Sequence, residues 1–202
     1  MNIDRAARDA GNGASMSLSI PLLTGSSRIG RRSAHVAAHV HALMRATDGI
    51  TAPLLDVSEL DFPIMEQRLA DMTDPPPGLA AFSATLAAAD GLMIVTPEYK
   101  NGYPGSLKNA LDYLVAGILR RKPIAICTVS SGSFGGINCL AQLRLVCLAM
   151  GGLPIPESLP VSNVHSVFGE DGSLLHNAFD AKARRLIDDL CWYARRLKRN
   201  GD

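Results

Sequence analysis

The sequence has little of several features that would assign a function class at once. Its 202 residues carry 20 Lys and Arg against 19 Asp and Glu, so the formal net charge is +1. Because a nonspecific nucleic-acid binder needs a basic surface to neutralise phosphates, we expect no nucleic-acid partner. The balance also disfavours the strongly acidic surface of a small electron carrier. The function must therefore depend on a local site.

Cysteines are few, and their spacing excludes the usual cysteine sites. The four of them form no CxxC pair and no zinc-binding pattern, so we expect neither disulfides nor a metal site: Cys127, Cys139, Cys147 and Cys191. Reduced cysteines indicate a cytoplasmic protein.

Long apolar runs are also absent. The most apolar stretch, residues 139–153, is interrupted by Gln142, Arg144 and two glycines, and it is too short to span a bilayer. Residues 1–15 lack the apolar core of a signal peptide. We therefore expect a soluble protein with no membrane partner.

The hydrophobic fraction of 47% is ample for one large core. Residues 1–15 are polar, rich in glycine and without periodicity, which predicts a disordered N-terminal extension. No repeat or linker follows, so residues 16–202 are expected to form a single domain.

Short apolar runs then alternate with helical patterns. Such alternation predicts an α/β fold whose parallel, doubly wound sheet has about five strands. The predicted strands are residues 18–24, 52–57, 91–96, 123–130 and 153–159, and the predicted helices begin near residues 33, 79, 106, 137 and 179.

Two elements leave alternatives open. Pro21 lies inside the first predicted strand, so either the strand starts there or its amide side is unpaired. Residues 137–150 are apolar almost all round, which indicates either a deeply buried helix or half of an oligomer interface.

The turn after the first strand, residues 25–33, reads GSSRIGRRS. Glycines, hydroxyl groups and a following helix N-terminus are what a phosphate group requires, and Arg28 adds a charged donor. The alternative is an ordinary turn in which Ser33 caps the helix. The segment nearly matches a P-loop, but Arg31 and Arg32 replace the required Lys and Ser/Thr, which disfavours a nucleoside triphosphatase.

Two further loops follow buried strands. Residues 96–114 contain Tyr99 and Tyr103, which are either a flat surface for an aromatic cofactor or a cover for the core. Residues 130–136 read SSGSFGG.

The run TPEYKNGYPGSLKNALDYL resembles the signature of the NADPH-dependent FMN reductase family, flavodoxin-like enzymes that include quinone, chromate and azo-dye reductases. The first loop resembles the family's GSxRxxS motif. Gly135-Gly136 followed by Leu143-Arg144 resembles its third motif. The resemblance covers about residues 17–196 and implies a flavodoxin-like three-layer sandwich with a doubly wound parallel five-stranded sheet.

The resemblance also implies a set of cofactor-binding residues. Ser26, Arg28 and Ser33 would hold the FMN phosphate. Along the isoalloxazine and ribityl chain lie Pro97, Glu98, Tyr99 and Lys100, and on the other side of the ring lie Ser130, Ser131 and Gly132. Lys100 departs from the family's usual Asn.

By the same resemblance, the protein passes hydride from NAD(P)H to FMN and then to a quinone, azo compound, metal oxyanion or free flavin by ping-pong turnover. No classical catalytic residue is required. The alternatives are a flavin-binding carrier or sensor without reductase activity, and a protein that binds a different phosphate. A homodimer or homotetramer is expected.

Three further features allow two interpretations each. Arg31 and Arg32 either attract the phosphates of NAD(P)H or lie on a solvated helix face. His35 and His39 have the i,i+4 spacing of two metal ligands, but nothing nearby completes a site. Glu98 invites a general-base role, which hydride transfer does not need.

Overall fold

The computed structural model describes residues 17–199, so the predicted N-terminal extension lies outside the described residues. The strands are β1 (Leu18–Ser19), β2 (Leu22–Thr24), β3 (Ile50–Thr51), β4 (Leu54–Asp56), β5 (Leu92–Pro97), β6 (Pro123–Val129) and β7 (Leu153–Val161). The helices are α1 (Ser33–Arg45), α2 (Val57–Leu60), α3 (Leu79–Ala88), α4 (Gly105–Asp112), α5 (Ile137–Ala149), α6 (Val164–Val167) and α7 (Ala178–Arg199).

Five strands form one parallel sheet in the order β4-β2-β5-β6-β7, and β1 pairs with β3 in a short parallel extension. This order and direction confirm the predicted flavodoxin-like, doubly wound sheet. The chain changes direction across the sheet between β2 and β5. A crevice at the C-terminal ends of those strands is therefore expected to bind a ligand.

Helices cover both faces of the sheet and make three layers. One core cluster packs α1 and α7 against the sheet, and the other packs α3, α4 and α5 against the opposite face. The two central strands, β5 and β6, are buried along their whole length, as their continuous apolar runs predict. Between residues 17 and 199, none of the helices has both the length and the apolar character needed to cross a bilayer.

Pro21 interrupts the first strand without ending it. The N–H of Ile20 donates to Thr51 O at 2.9 Å, and the carbonyl of Pro21 accepts from the N–H of Met93 at 3.0 Å. Both neighbouring strands are thus still paired around the proline. The predicted strand 18–24 is therefore divided into β1 and β2, because Pro21 has no N–H to donate between them.

The helix α5 is half buried rather than enclosed. Cys139, Leu143 and Cys147 face the core, and Leu145 and Leu148 on the other side are 68% and 55% exposed. The sequence allowed a deeply buried helix, and that alternative is wrong. All four cysteines are free and buried.

Candidate active site

A cavity of about 400 Å³ lies at the C-terminal edge of the sheet, where loops leave β2, β5 and β6. Its volume is typical of small-molecule sites. The lining residues come from all three loops and from the start of α6: Arg28, Gly30, Arg31, Arg32, Ser33, Pro97, Glu98, Tyr99, Val129, Ser130, Ser131 and Val164.

Three of the residues singled out from the sequence lie beside the cavity rather than along it. Ser26 is buried, with its hydroxyl oxygen 2.9 Å from the hydroxyl oxygen of Tyr99. The N–H of Gly132 donates to Ser130 Oγ at 2.9 Å. Ser26 and Gly132 therefore support residues of the lining. Lys100 is exposed at the tip of the second loop.

Two glycines shape the first loop. Gly25 comes so close to β5 that a Cβ atom at this position would overlap the side chain of Thr96. Gly30 has φ +70°, a backbone conformation that favours glycine. Between them, Ser26 Oγ accepts a hydrogen bond from the N–H of Arg28 at 3.2 Å. The chain thus turns within a few residues, and α1 begins beside the cavity.

The N-terminus of α1 offers backbone donors at the cavity. Within residues 17–199, the N–H groups of Gly30, Arg32 and Ser33 make no hydrogen bond, and all three residues line the cavity. The first turn of α1 has no acidic residue. Because a helix N-terminus carries partial positive charge, this arrangement suits an anionic group such as a phosphate.

Arg31 forms an ion pair below the loop. Its Nη2 donates to Asp56 Oδ2 at 2.6 Å and to Ser58 Oγ at 2.8 Å. The Nε of Arg31 is buried and has no partner among residues 17–199. Asp56 and Ser58 therefore do not fully satisfy this guanidinium, and a buried donor left unsatisfied costs about 1–3 kcal/mol.

The other two arginines of the loop are placed differently. Arg28 is exposed, and its guanidinium carbon is 5.8 Å from the ring centroid of Tyr99. Arg32 Nη1 donates to Gly169 O at 3.1 Å, and its Nη2 lies 3.3 Å from Glu170. Arg31 is thus sheltered by its partners, whereas the ion pair of Arg32 with Glu170 is exposed to solvent.

The second loop folds back on itself in a tight turn. The N–H groups of Tyr99 and Gly102 each donate to the other's carbonyl, at 2.9 and 3.0 Å. Lys100 and Asn101 between them have φ +51° and +63°, the conformation of a two-residue turn. Gln142 of α5 donates to Asn101 O at 2.7 Å, which fixes the turn against that helix.

Glu98 caps a helix. Its Oε2 accepts a hydrogen bond from the N–H of Cys139 in the first turn of α5 at 2.9 Å. The carboxylate thus satisfies an otherwise free donor, and its negative charge interacts favourably with the helix dipole. Gly136 permits the approach, because a Cβ atom there would lie only 3.3 Å from that of Glu98. This contact accounts for Glu98 without a role as a base.

The third loop is fixed by the segment that follows β7. The N–H of Asn163 donates to Gly132 O at 3.0 Å, and the N–H of Val164 donates to Ser130 O at 3.1 Å. The hydroxyl of Thr128 donates to Gly135 O at 2.7 Å. Backbone bonds on both sides therefore hold Ser130 at the cavity.

The residues around the cavity include no activated nucleophile. Cys139 lies directly below the second loop, with its Sγ 3.7 Å from Pro97 O. Burial, assisted by the charge of Glu98, raises the pKa of this thiol to about 12. Cys139 is therefore protonated at neutral pH and packs as a small apolar side chain.

The histidines of α1 contact separate groups. His39 Nε2 lies 3.0 Å from Asp180 Oδ1, whereas His35 lies against Gly172. In the part of the chain that the structure describes, no three or more His, Cys, Asp or Glu residues are grouped to hold a metal ion.

A larger groove, of about 580 Å³, lies between the irregular segment after α2 and Tyr113. Its charged lining residues are Glu66 and Asp74, and it lies away from the C-terminal ends of β2, β5 and β6. The smaller cavity is the better candidate because cationic side chains and free amides converge on it.

Residues 18–166 match the family model described as NADPH-dependent FMN reductase. The chain belongs to this family. The match covers the three loops that form the cavity.

Named relatives agree with this membership. An FMN-dependent NADPH-azoreductase of Staphylococcus aureus is 30% identical over 78% of this chain and 89% of its own. An NADPH azoreductase of Bacillus sp. (strain OY1-2) is 39% identical over 85 residues, which are 42% of this chain and 48% of that protein.

Solved structures share the fold. The flavoenzyme NAD(P)H:(acceptor) oxidoreductase FerB from Paracoccus denitrificans aligns with a TM-score of 0.70 at 23% identity, over 90% of this chain and 98% of its own. An oxidoreductase from Corynebacterium diphtheriae gives the same TM-score and coverage at 19% identity.

The cavity fits the cofactor of this family. FMN combines a dianionic phosphate with a flat tricyclic ring. The free amides of α1 and the cationic side chains of Arg28 and Arg31 suit an anionic phosphate. Pro97, Tyr99 and Ser130 on the two other loops line the rest of the cavity, which leaves space for a flat ring.

Sequence reasoning missed Asp56, Val129 and Val164 as part of the site. Asp56 is the last residue of β4, so its position at a strand end was the available signal. Val164 gave none, because α6 has only four residues and no readable periodicity.

Proposed function

We propose that this protein is an FMN-dependent NAD(P)H oxidoreductase whose FMN occupies the cavity at the ends of β2, β5 and β6. The observation that supports this most is the convergence of free α1 amides and arginine side chains on one cavity of a chain from the FMN reductase family.

Each loop would bind a different part of the cofactor. Arg28, Ser33 and the adjacent amides bind the phosphate, and the hydroxyl of Ser26 holds Tyr99 in position. The backbone of Pro97, Glu98 and Tyr99 follows the ring and ribityl chain. On the other side of the ring lie Ser130 and Ser131, and Gly132 supports Ser130 from behind. Lys100 faces solvent at the end of this wall, where an incoming anionic substrate would meet its charge.

FMN, when bound, supplies the redox chemistry by accepting hydride from NAD(P)H and passing electrons to an acceptor. The protein's own contribution is to bind and orient. With FMN in the cavity, NAD(P)H and the acceptor would use the same exposed face of the flavin in turn, which is ping-pong turnover. We assign no proton transfer to Glu98 or Cys139, because Glu98 caps α5 and the thiol of Cys139 is buried and protonated.

The acceptor is proposed to be a small molecule: a quinone, an azo compound, a metal oxyanion or free flavin. The relatives named azoreductases support the azo compounds. A carrier or sensor without reductase activity is the less favoured function, since carriers of the flavodoxin type are strongly acidic and this chain has a net charge of +1.

We further propose a cytoplasmic homodimer or homotetramer. Free, buried cysteines suit a reducing compartment. Ile137, Leu145 and Leu148 leave an apolar stripe on α5 that a second copy would cover.

The visible spectrum of the purified protein tests the proposal. The purified protein is expected to be yellow, or to become yellow on uptake of FMN. Anaerobic mixing with NADPH is then expected to remove the visible absorbance of the oxidised flavin. Bound FMN without NADPH oxidation in a steady-state quinone or azo-dye assay would favour the carrier. A protein that binds no FMN would favour a different phosphate ligand.

A further inference from the structure

Arg31 and Asp56 link the first loop to the end of the neighbouring strand β4. The two side chains are only 16% and 15% exposed, and their ion pair has an N–O distance of 2.6 Å. A pair this sheltered is screened less by salt than an exposed pair. The guanidinium is therefore held in one place before any ligand arrives.

Asp56 is itself held by several donors. Thr24 donates to Oδ1 at 2.7 Å, and the N–H and hydroxyl of Ser58 donate to the same oxygen at 2.9 and 2.8 Å. This leaves Oδ2 for Arg31. The carboxylate is thus fixed by β2 and by the start of α2, and it fixes the guanidinium in turn.

The pair leaves part of the guanidinium without a partner. Both bonds to Asp56 and Ser58 come from Nη2, and neither Nε nor Nη1 makes a hydrogen bond within residues 17–199. Arg31 lines the cavity next to the free amides of Arg32 and Ser33. A planar guanidinium with spare donors beside a helix N-terminus is suited to a phosphate monoester.

We propose that Arg31 recognises the phosphate of FMN, that Asp56 is its positioning residue, and that the pair makes the cavity select FMN over riboflavin. The inference rests on the proposed function. The inference goes further than the proposed function because it assigns the selectivity for FMN to one prearranged side chain. The loop amides alone would bind any small anion.

The test compares the dissociation constants of FMN and riboflavin for the flavin-free protein, measured by fluorescence quenching at fixed ionic strength. Since a hydrogen bond to a charged group is strong, Arg31→Gln is expected to weaken FMN binding about tenfold to a hundredfold and to leave riboflavin binding unchanged. Asp56→Asn is expected to reduce the preference for FMN, measured as the riboflavin dissociation constant divided by the FMN dissociation constant, because it releases the guanidinium.

Two further variants sharpen the result. Arg31→Lys keeps the charge and loses the planar fork, so a smaller preference for FMN over riboflavin is expected. A preference equal to that of the wild type would overturn the role of a fixed guanidinium. Arg185→Gln removes the same charge from an exposed pair with Glu157 and is expected to change neither constant. Riboflavin binding also reports whether each variant still folds around the cavity.

Inorganic phosphate provides an independent measurement. It is expected to compete with FMN in the wild-type protein and to compete less in Arg31→Gln. Equal loss of both flavins in Arg31→Gln, or an unchanged ratio, would overturn the inference while a wild type that binds FMN keeps the proposed function. A wild type that binds neither flavin would overturn the proposed function itself.

Discussion

Gly25 decides how closely the first loop approaches the second. It joins the end of β2 to the loop, and its N–H donates to Val95 O at 2.9 Å. Any side chain at this position would have to displace Thr96, which is fully buried at the end of β5. The distance between the first loop and β5 is thus set by the absence of one Cβ atom.

We predict that Gly25→Ala moves the first loop away from β5 and weakens FMN binding at least about tenfold, because overpacking a tight contact costs about 1–3 kcal/mol. Flavin titration and urea unfolding measure the two effects. Gly105→Ala is the matched control, since a Cβ atom there meets nothing within 4 Å. Equal flavin affinities of the two variants would contradict the prediction.

The acid stability of the protein should depend on Asp56. Burial opposes its charge, but hydrogen bonds from Ser58 and Thr24 and the charge of Arg31 lower its pKa below the ordinary value of 3.8. A lowered pKa in the folded state gives stability that is present at neutral pH and is lost as pH falls through that value.

We therefore predict that Asp56→Asn reduces the free energy of unfolding at pH 7 and flattens its decline from pH 7 to about 3. Urea unfolding across this range measures both. Asp48→Asn, at an exposed carboxylate in the turn after α1, is the control. A curve for Asp56→Asn parallel to that of the wild type would rule out the assigned role.

The sequence identified the loops of the site better than the direction of each side chain. Tyr99 was an even choice between a cofactor wall and a cover for the core, and in the structure it lines the cavity. Its neighbour Lys100 is at the exposed tip of a two-residue turn in which both residues have positive φ values. A lysine does not indicate such a conformation, so the sequence contained no signal for the turn. Arg31 could not be assigned, since its partner Asp56 is 25 residues away along the chain.

At the scale of elements, the strength of the pattern decided what could be predicted. The buried strands β5 and β6 and the helices α1, α5 and α7 were all expected near their observed bounds, because long periodic or continuous apolar runs define them. The four-residue helices α2 and α6 were missed. Asp56 starts α2 through its side-chain bond to Ser58, and such a short cap leaves no period in the sequence.

The edge strand β7 shows why a helix residue matters to a strand. Its pairing with β6 shifts between Pro154 and Ser158, which leaves a bulge. Arg144 of α5 donates from Nη2 to the carbonyls of Ile155 and Pro156, both at 2.9 Å. One guanidinium thus satisfies two carbonyls that the bulge removes from the ladder.

We predict that Arg144→Met destabilises the protein by about 1.5–3 kcal/mol, because the methionine fills similar space but donates no hydrogen bond. Urea unfolding measures the change. Arg185→Met, at a 72% exposed side chain 3.6 Å from Glu157, is expected to change stability little. Equal losses in the two variants would argue against the role of Arg144.

At the scale of the whole molecule, α5 connects the cavity to the apolar stripe. Its first turn is capped by Glu98, and Gln142 holds the second loop. On its outer side lie the exposed side chains of Leu145 and Leu148. An interface formed through this helix would therefore involve the same element that supports the second loop of the cavity.

We predict that Leu145→Glu reduces the mass of the assembly, because a charge would be buried in the apolar contact. Sedimentation velocity of wild type and variant measures the mass. Leu175→Glu, at a 56% exposed leucine outside α5, is the control and should leave the assembly unchanged. A wild-type protein that sediments as a monomer would contradict the stripe as an interface.

The prolines of β7 bear on how two copies can meet. Leu153 donates to Lys122 O and the carbonyl of Val161 accepts from Ser130, so both of these residues point their backbone groups at β6. Pro154 and Pro160, one step along, consequently turn their nitrogens to the outer margin. That margin lacks amide hydrogens at both places, so it is a poor template for a strand from another molecule, and growth of the sheet into fibrils is disfavoured.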